Sequence, residues 1–231
     1  MATTTSTCSD RHAVITGPAI GDQLQAPDGA DAVVSYFDAR MGANLVKVVI
    51  GQHAVSRGDD RILVTTLGSC VAACVRDPVA LVGGMNHFLL PDLPEGREER
   101  SGGATRYGRA AMDTLIADIV RHGGSRDRLE IKVFGGARVI ASRYDIGALN
   151  ADFILSYIRR EGLTLVGQDL GGSLARRVFY CPATGRVMRR VVRPEAFSDT
   201  IAQELNFLSA YQSAGYGRAG AAMFGFERNE E

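Results

Sequence analysis

The chain has 231 residues, 45% of them apolar, which is enough for one substantial hydrophobic core with appendages. Lys plus Arg and Asp plus Glu both total 26, so no net field attracts nucleic acid or an anionic membrane, and neither is an expected partner. No stretch approaches the roughly 20 apolar residues of a membrane span. The polar opening up to Asp22 also lacks the order of a secretory signal, so a cytoplasmic location is expected.

In that setting the four cysteines, Cys8, Cys70, Cys74 and Cys181, are expected as free thiols. Residues 1–42 mix Thr, Ser, Ala, Asp and Gly, with Pro18 and Pro27 breaking any periodicity, and read as a flexible extension. From Asn44 the texture changes. Leu45–Ile50 and Ile62–Thr66 are short β-branched runs bounded by Gly and Asp, which predict strands. Val71–Arg76 and Leu81–Leu90 predict a hairpin about Asp77-Pro78-Val79-Ala80.

After a Gly- and charge-rich loop comes a helix, with Thr105 as candidate N-cap, apolar positions Met112, Leu115, Ile116, Ile119 and Val120, and a Gly123-Gly124 stop. Leu129–Phe134 alternates as a half-buried strand, and Asn150–Glu161 reads as a second helix. Leu163–Val166, Ala175–Tyr180 and Arg186–Val192 predict three more strands. Beyond Pro194, Ile201–Tyr211 has the pattern of one further helix, and the charged, Gly-rich remainder reads as a chain end.

The residues with chemistry gather around Gly68-Ser69-Cys70 and Met85-Asn86-His87. If the hairpin loop is Asp77–Ala80, Arg76 opposes Leu81 and Cys70 lies directly opposite His87. An imidazole there takes the thiol proton, and the resulting thiolate attacks a carbonyl carbon. A zinc site built from Cys70, Cys74, Cys181 and His87 competes with this reading. Residues four apart in a strand are separated by about 13 Å, too far for both thiols to reach one ion. Gly135-Gly136 and Asp169-Leu170-Gly171-Gly172 read as turns, and His12, His53 and His122 as surface histidines.

Leu67-Gly68-Ser69-Cys70-Val71, Asp77-Pro78 and Gly84-Met85-Asn86-His87-Phe88-Leu89-Leu90-Pro91 together resemble the signature of the CheD family. Arg106-Tyr107-Gly108, Phe134-Gly135-Gly136-Ala137, Ile146–Asn150, Asp169–Gly172 and Thr184-Gly185-Arg186-Val187 continue the likeness through about Val192. The resemblance implies a layered α/β (α+β) fold, a central β-sheet with flanking helices, like the catalytic domain of cytotoxic necrotizing factors. That domain would span 43–195, leaving a partly helical C-terminal extension at 196–231.

The activity it implies is that of a protein-glutamine glutaminase, which deamidates glutamines on the cytoplasmic helices of chemoreceptors without a cofactor or metal. Some members also hydrolyse glutamate methyl esters. By the same resemblance Cys70 is the nucleophile, His87 the general base and acid, and a threonine just before Gly-Ser-Cys the orienting group. Thr65 and Thr66 both stand there, and Thr65 is taken. A CheC-type phosphatase is a further partner of some members. The loop from Glu95 to Arg109, with Arg97, Arg100, Arg106, Arg109 and nearby Arg121, either grips an acidic receptor helix or is simply solvated.

Overall fold

A computed structural model describes residues 34–39, 41–58, 61–89, 108–139, 145–192 and 202. Ten strands and two helices follow in chain order: β1 Val34–Asp38, β2 Ala43–Lys47, β3 His53–Arg57, β4 Arg61–Leu67, β5 Val71–Asp77, β6 Val82–Asn86, α1 Gly108–Arg121, β7 Glu130–Gly135, α2 Ile146–Arg160, β8 Thr164–Leu170, β9 Ala175–Cys181 and β10 Arg186–Val192. They form two five-stranded sheets, ordered β1-β2-β4-β9-β10 and β3-β6-β5-β7-β8.

The sheets face each other across one apolar cluster. Val46, Leu63, Leu67, Val178 and Tyr180 enter it from the first sheet, and Ala54, Ala72, Cys74, Met85 and Phe134 from the second. The other face of the second sheet, through Val71, Ala73, Val75, Ile131 and Val133, packs on Met112, Leu115 and Ile119 of α1 and on Ile154, Tyr157 and Ile158 of α2. The layers are therefore sheet, sheet, helices, which is the layered α+β class expected from the sequence. Because both faces of the second sheet are covered, β5 is apolar at nearly every position instead of alternating.

Four elements differ from the sequence reading, and one of them, β8, runs on to Leu170 through the Asp169-Leu170 read as part of a turn. β1 and β3 are short and rich in polar residues, so neither carries a clear apolar pattern; β1, inside the stretch read as an extension, pairs antiparallel with β2. α2 begins at Ile146, one turn before Asn150, because the Asp145 side chain caps it by accepting the Ala148 N–H at 2.9 Å. Gly147 sits in that added turn because a Cβ there would come 2.5 Å from the Gly136 carbonyl oxygen. The Thr105 cap lies outside the described residues, as does the proposed Ile201–Tyr211 helix apart from Ala202, which is helical. Among the described residues no helix is long and apolar enough to cross a membrane.

Candidate active site

The β5–β6 register corrects the expected one. Asp77 pairs with Val82, Cys74 with Met85, and Val71 bridges Phe88, each two residues from the register that would set Cys70 opposite His87. The cause lies in the turn. Asp77 remains the last residue of β5, and its Oδ1 accepts the N–H groups of Val79 (2.8 Å) and Ala80 (3.1 Å). Leu81, at φ 53°, completes the loop.

A shift of two keeps every side chain on its face, whereas a shift of one reverses them. Cys70, Ala72 and Cys74 thus share the sandwich side with Met85 and Leu89, the neighbours of His87 in the alternation of β6. Cys70 and His87 become diagonal neighbours on that face, roughly 7 Å apart or less at Cβ, still within reach of an imidazole.

His87 is fixed from both directions. Its backbone N–H donates to the Gln52 carbonyl (3.0 Å), and its carbonyl accepts the Gly51 N–H (2.8 Å). Its Nδ1 lies 2.9 Å from Thr65 Oγ1, while the Thr65 hydroxyl donates to the Val48 carbonyl at 2.7 Å. A hydroxyl has one proton, so with that proton on Val48 the oxygen must accept from His87 Nδ1–H. This leaves Nε2 unprotonated in the neutral ring, and Nε2 has no hydrogen-bond partner among the described residues. His87 is 3% exposed, and burial lowers its pKa to about 4, with the Val48 carbonyl opposing the shift.

The turn that presents Cys70 is held by its neighbours. The Gly136 N–H donates to the Cys70 carbonyl (2.7 Å) and the Ala137 N–H to the Gly68 carbonyl (2.8 Å). The backbone packs so closely that a Cβ at Gly135, φ 113°, would lie 2.1 Å from the Cys70 oxygen. Asn150, fully buried on α2, donates from Nδ2 to Ile146 O (2.8 Å) and Ser69 O (3.4 Å). The Gly-Gly after β7, read from sequence as a plain turn, is thus a backbone cradle for the cysteine.

The wall continues through Asp169–Gly172. Gly171 N–H donates to Gly135 O (2.9 Å) and Arg138 N–H to Gly172 O (2.8 Å). Arg176, buried, binds Asp169 Oδ1 (2.8 Å) and the carbonyls of Asp169 and Gly171. The sequence reading missed Arg176, one of two adjacent arginines at the start of β9, which pairs with Leu67 at the end of β4.

Of the sequence-selected residues, the structure joins Thr65 to His87 and sets Cys70 on the same face. Thr66, the alternative, pairs with Arg177 and points to the opposite side of β4 from Thr65. Cys74 lies in the sandwich core, where burial raises its thiol pKa far above the ordinary range. Cys70 and Cys74 are not disulfide-bonded, but Cys181 is, which corrects the expectation that all four cysteines are free thiols. His53, read as a surface histidine, is instead largely covered and pairs with Asp118 of α1 at 2.5 Å.

A family model described as CheD chemotactic sensory transduction matches residues 89–191, a span that begins two residues past His87. A protein of Rhodopseudomonas palustris (strain BisA53) is 52% identical over 161 residues, covering 70% of this chain and 76% of the relative. One from Caulobacter vibrioides (strain NA1000 / CB15N) is 49% identical over 147 residues, 64% of this chain and 78% of the relative. One from Ralstonia pickettii (strain 12J) is 41% identical over 199 residues, 85% and 82%. All three carry the name "Probable chemoreceptor glutamine deamidase CheD". Identity at this level, across about three quarters or more of each relative, places the chain in the CheD family.

Proposed function

We propose that the chain is a protein-glutamine glutaminase that converts glutamine side chains on the cytoplasmic helices of chemoreceptors to glutamate. Its nucleophile is Cys70, its general base and acid His87, and its orienting group Thr65. The observation that carries the reading is the His87 tautomer. Nδ1–H is committed to Thr65, so the basic Nε2 remains available on the face that Cys70 shares.

In the first half-reaction Nε2 takes the Cys70 proton and the sulfur bonds to the glutamine side-chain carbonyl carbon. The C–N bond then breaks as Nε2–H protonates the departing nitrogen, which leaves as ammonia. A γ-glutamyl thioester remains on Cys70. In the second half, Nε2 takes a proton from water, the hydroxide adds, and the C–S bond breaks. The proton returns to sulfur, and glutamate leaves. A methyl ester in place of the amide follows the same route with methanol as the leaving group.

Thr65→Val removes the acceptor of Nδ1–H while leaving the volume of the side chain nearly unchanged. The expected result is a kcat lower by about tenfold to a hundredfold, with KM little altered, since the base loses its orientation and not its identity. In the native protein the acid limb of kcat/KM should fall near pH 4 and not near 6.5, because burial disfavours the imidazolium. The same depression carries a stability consequence. Above pH 6.5 neither folded nor unfolded chain binds this proton; between 6.5 and about 4 the unfolded chain binds it first, and folding stability falls. Chemical denaturation across that range reads the decline.

The reading as a whole is tested by intact mass of a recombinant chemoreceptor cytoplasmic fragment incubated with the protein. A gain of about 1 Da per modified glutamine, the difference between amide and acid, is expected. Unchanged mass across several receptors from the same organism would make the chain a non-catalytic binding module of receptor or phosphatase.

A further inference from the structure

Asn86 precedes His87 and points the opposite way, into the helix layer, where it is fully buried. Its Nδ2 donates to the Ala111 carbonyl (3.1 Å) and approaches Met112 Sδ (3.4 Å), both on α1. Its Oδ1 accepts the Ala73 N–H at 2.9 Å. That last bond is out of place for a strand pair. Val71 and Phe88 exchange both backbone bonds, at 3.0 and 2.9 Å. Two residues along an antiparallel ladder, Ala73 should therefore donate to the backbone carbonyl of residue 86. The side-chain oxygen of Asn86 takes that place, so the ladder between β5 and β6 is interrupted at this point.

Next along the chain, His87 stands opposite Ala72, where the backbone groups face away from β5, and they bond to Gly51 and Gln52. We propose that Asn86 is a positioning residue for the catalytic base: its amide carries the Ala73 bond and the α1 anchor, which fixes the chain at the residue before His87 and so sets the aim of His87 at Thr65. A polar side chain fully enclosed between a sheet and a helix is costly unless all its groups are used, and here both ends of the amide are used. The inference rests on His87 being the base in the proposed deamidation, but the orientation it concerns is measurable without substrate.

The test uses full-length protein and two variants. Asn86→Ala removes both halves of the amide. Asn86→Asp keeps an oxygen for Ala73, and its enclosed carboxyl, pushed toward the neutral acid, offers an O–H to Ala111. The readouts are the tautomer of the His87 ring, from nitrogen NMR of histidine-labelled protein, and the split between kcat and KM. Asn86→Ala should lose the uniform Nδ1–H tautomer and lower kcat by about a hundredfold at nearly constant KM. Asn86→Asp should keep the tautomer and recover most of kcat.

A folded Asn86→Ala with the native tautomer, or with kcat within about threefold of native, overturns the proposal. Should Asn86→Ala fail to fold, Asn86→Asp decides alone: loss of the tautomer there overturns it, and retention upholds it. If native protein deamidates no receptor, the functional reading fails on the mass measurement while the tautomer still judges Asn86.

Discussion

Cys70→Ala is expected to fold as the native protein does and to leave receptor glutamines unmodified, a loss of about 10⁴-fold or more. The magnitude follows from the chemistry. Without a nucleophile no thioester forms, and the base and cradle that remain cannot act as independent contributors, because residues that act as a unit lose their effect together. The fold should survive because the exchange removes one atom from a packed site and leaves the backbone hydrogen bonds of the turn in place. Those bonds run from the Gly136 N–H to the Cys70 carbonyl and from the Ala137 N–H to the Gly68 carbonyl, and alanine keeps both. A cost of about 1 kcal/mol is in line with deleting a small buried group. Intact mass of the receptor fragment, together with the circular dichroism melt of the variant, separates the two effects. Turnover above about a hundredth of native in a folded Cys70→Ala would remove Cys70 from the nucleophile role.

Asp77→Ala should have the largest effect on stability, about 2–4 kcal/mol, read as a lower urea midpoint at unchanged m-value. The Asp77 side chain has no exposed surface and accepts from five groups: the N–H groups of Val79, Ala80 and Ser125, and Nε and Nη2 of Arg128. One carboxylate thus closes the β5–β6 turn and ties it to the segment between α1 and β7. Arg128 is half-exposed and rehydrates when the partner is lost, so the cost lies mainly in the orphaned turn amides. The Arg128 guanidinium and the three N–H groups hold the Asp77 pKa well below the usual carboxylate range. A depressed carboxyl contributes stability above the ordinary carboxylate pKa and loses it as pH falls below that value. Native protein should therefore lose stability in acid that Asp77→Ala does not have to lose. Equal acid sensitivity in the two proteins would show that the carboxylate is not the source.

Motif content and periodicity made the class of fold, eight of the strands and most of the apolar face of α1 legible, although Val120, counted on that face, is exposed. The failures have identifiable causes. β3 alternates in burial but not in sequence, and with His53, Ser56 and Arg57 it lacks the apolar density that marks β4 and β5. The hairpin register depended on whether Asp77 belongs to the loop or to the strand, which the Asp-Pro dipeptide leaves open and the hydrogen bonds of its side chain decide. The expected face-to-face placement of Cys70 and His87 was therefore wrong in detail, while the two-residue shift kept them on one face. Choosing Thr65 over Thr66 rested on family likeness alone. The alternation of β4 gives the physical ground, since only Thr65 faces the second sheet, where His87 is. The roles of Gly135, Gly136 and Asn150 were invisible because backbone proximity between distant segments leaves no local pattern in a sequence.

The hydrogen bond from His87 to Thr65 runs from one sheet to the other, and so the aim of the base depends on the thickness of the sandwich filling. That filling is Leu63, Leu67, Met85, Val178 and their neighbours, all of them buried. Apolar exchanges there that conserve folding can still move the sheets by a few tenths of an ångström, a distance large against hydrogen-bond tolerance and small against packing tolerance. Anyone altering this protein should therefore leave the sandwich interior alone, treating its residues as a gauge block that sets the tool.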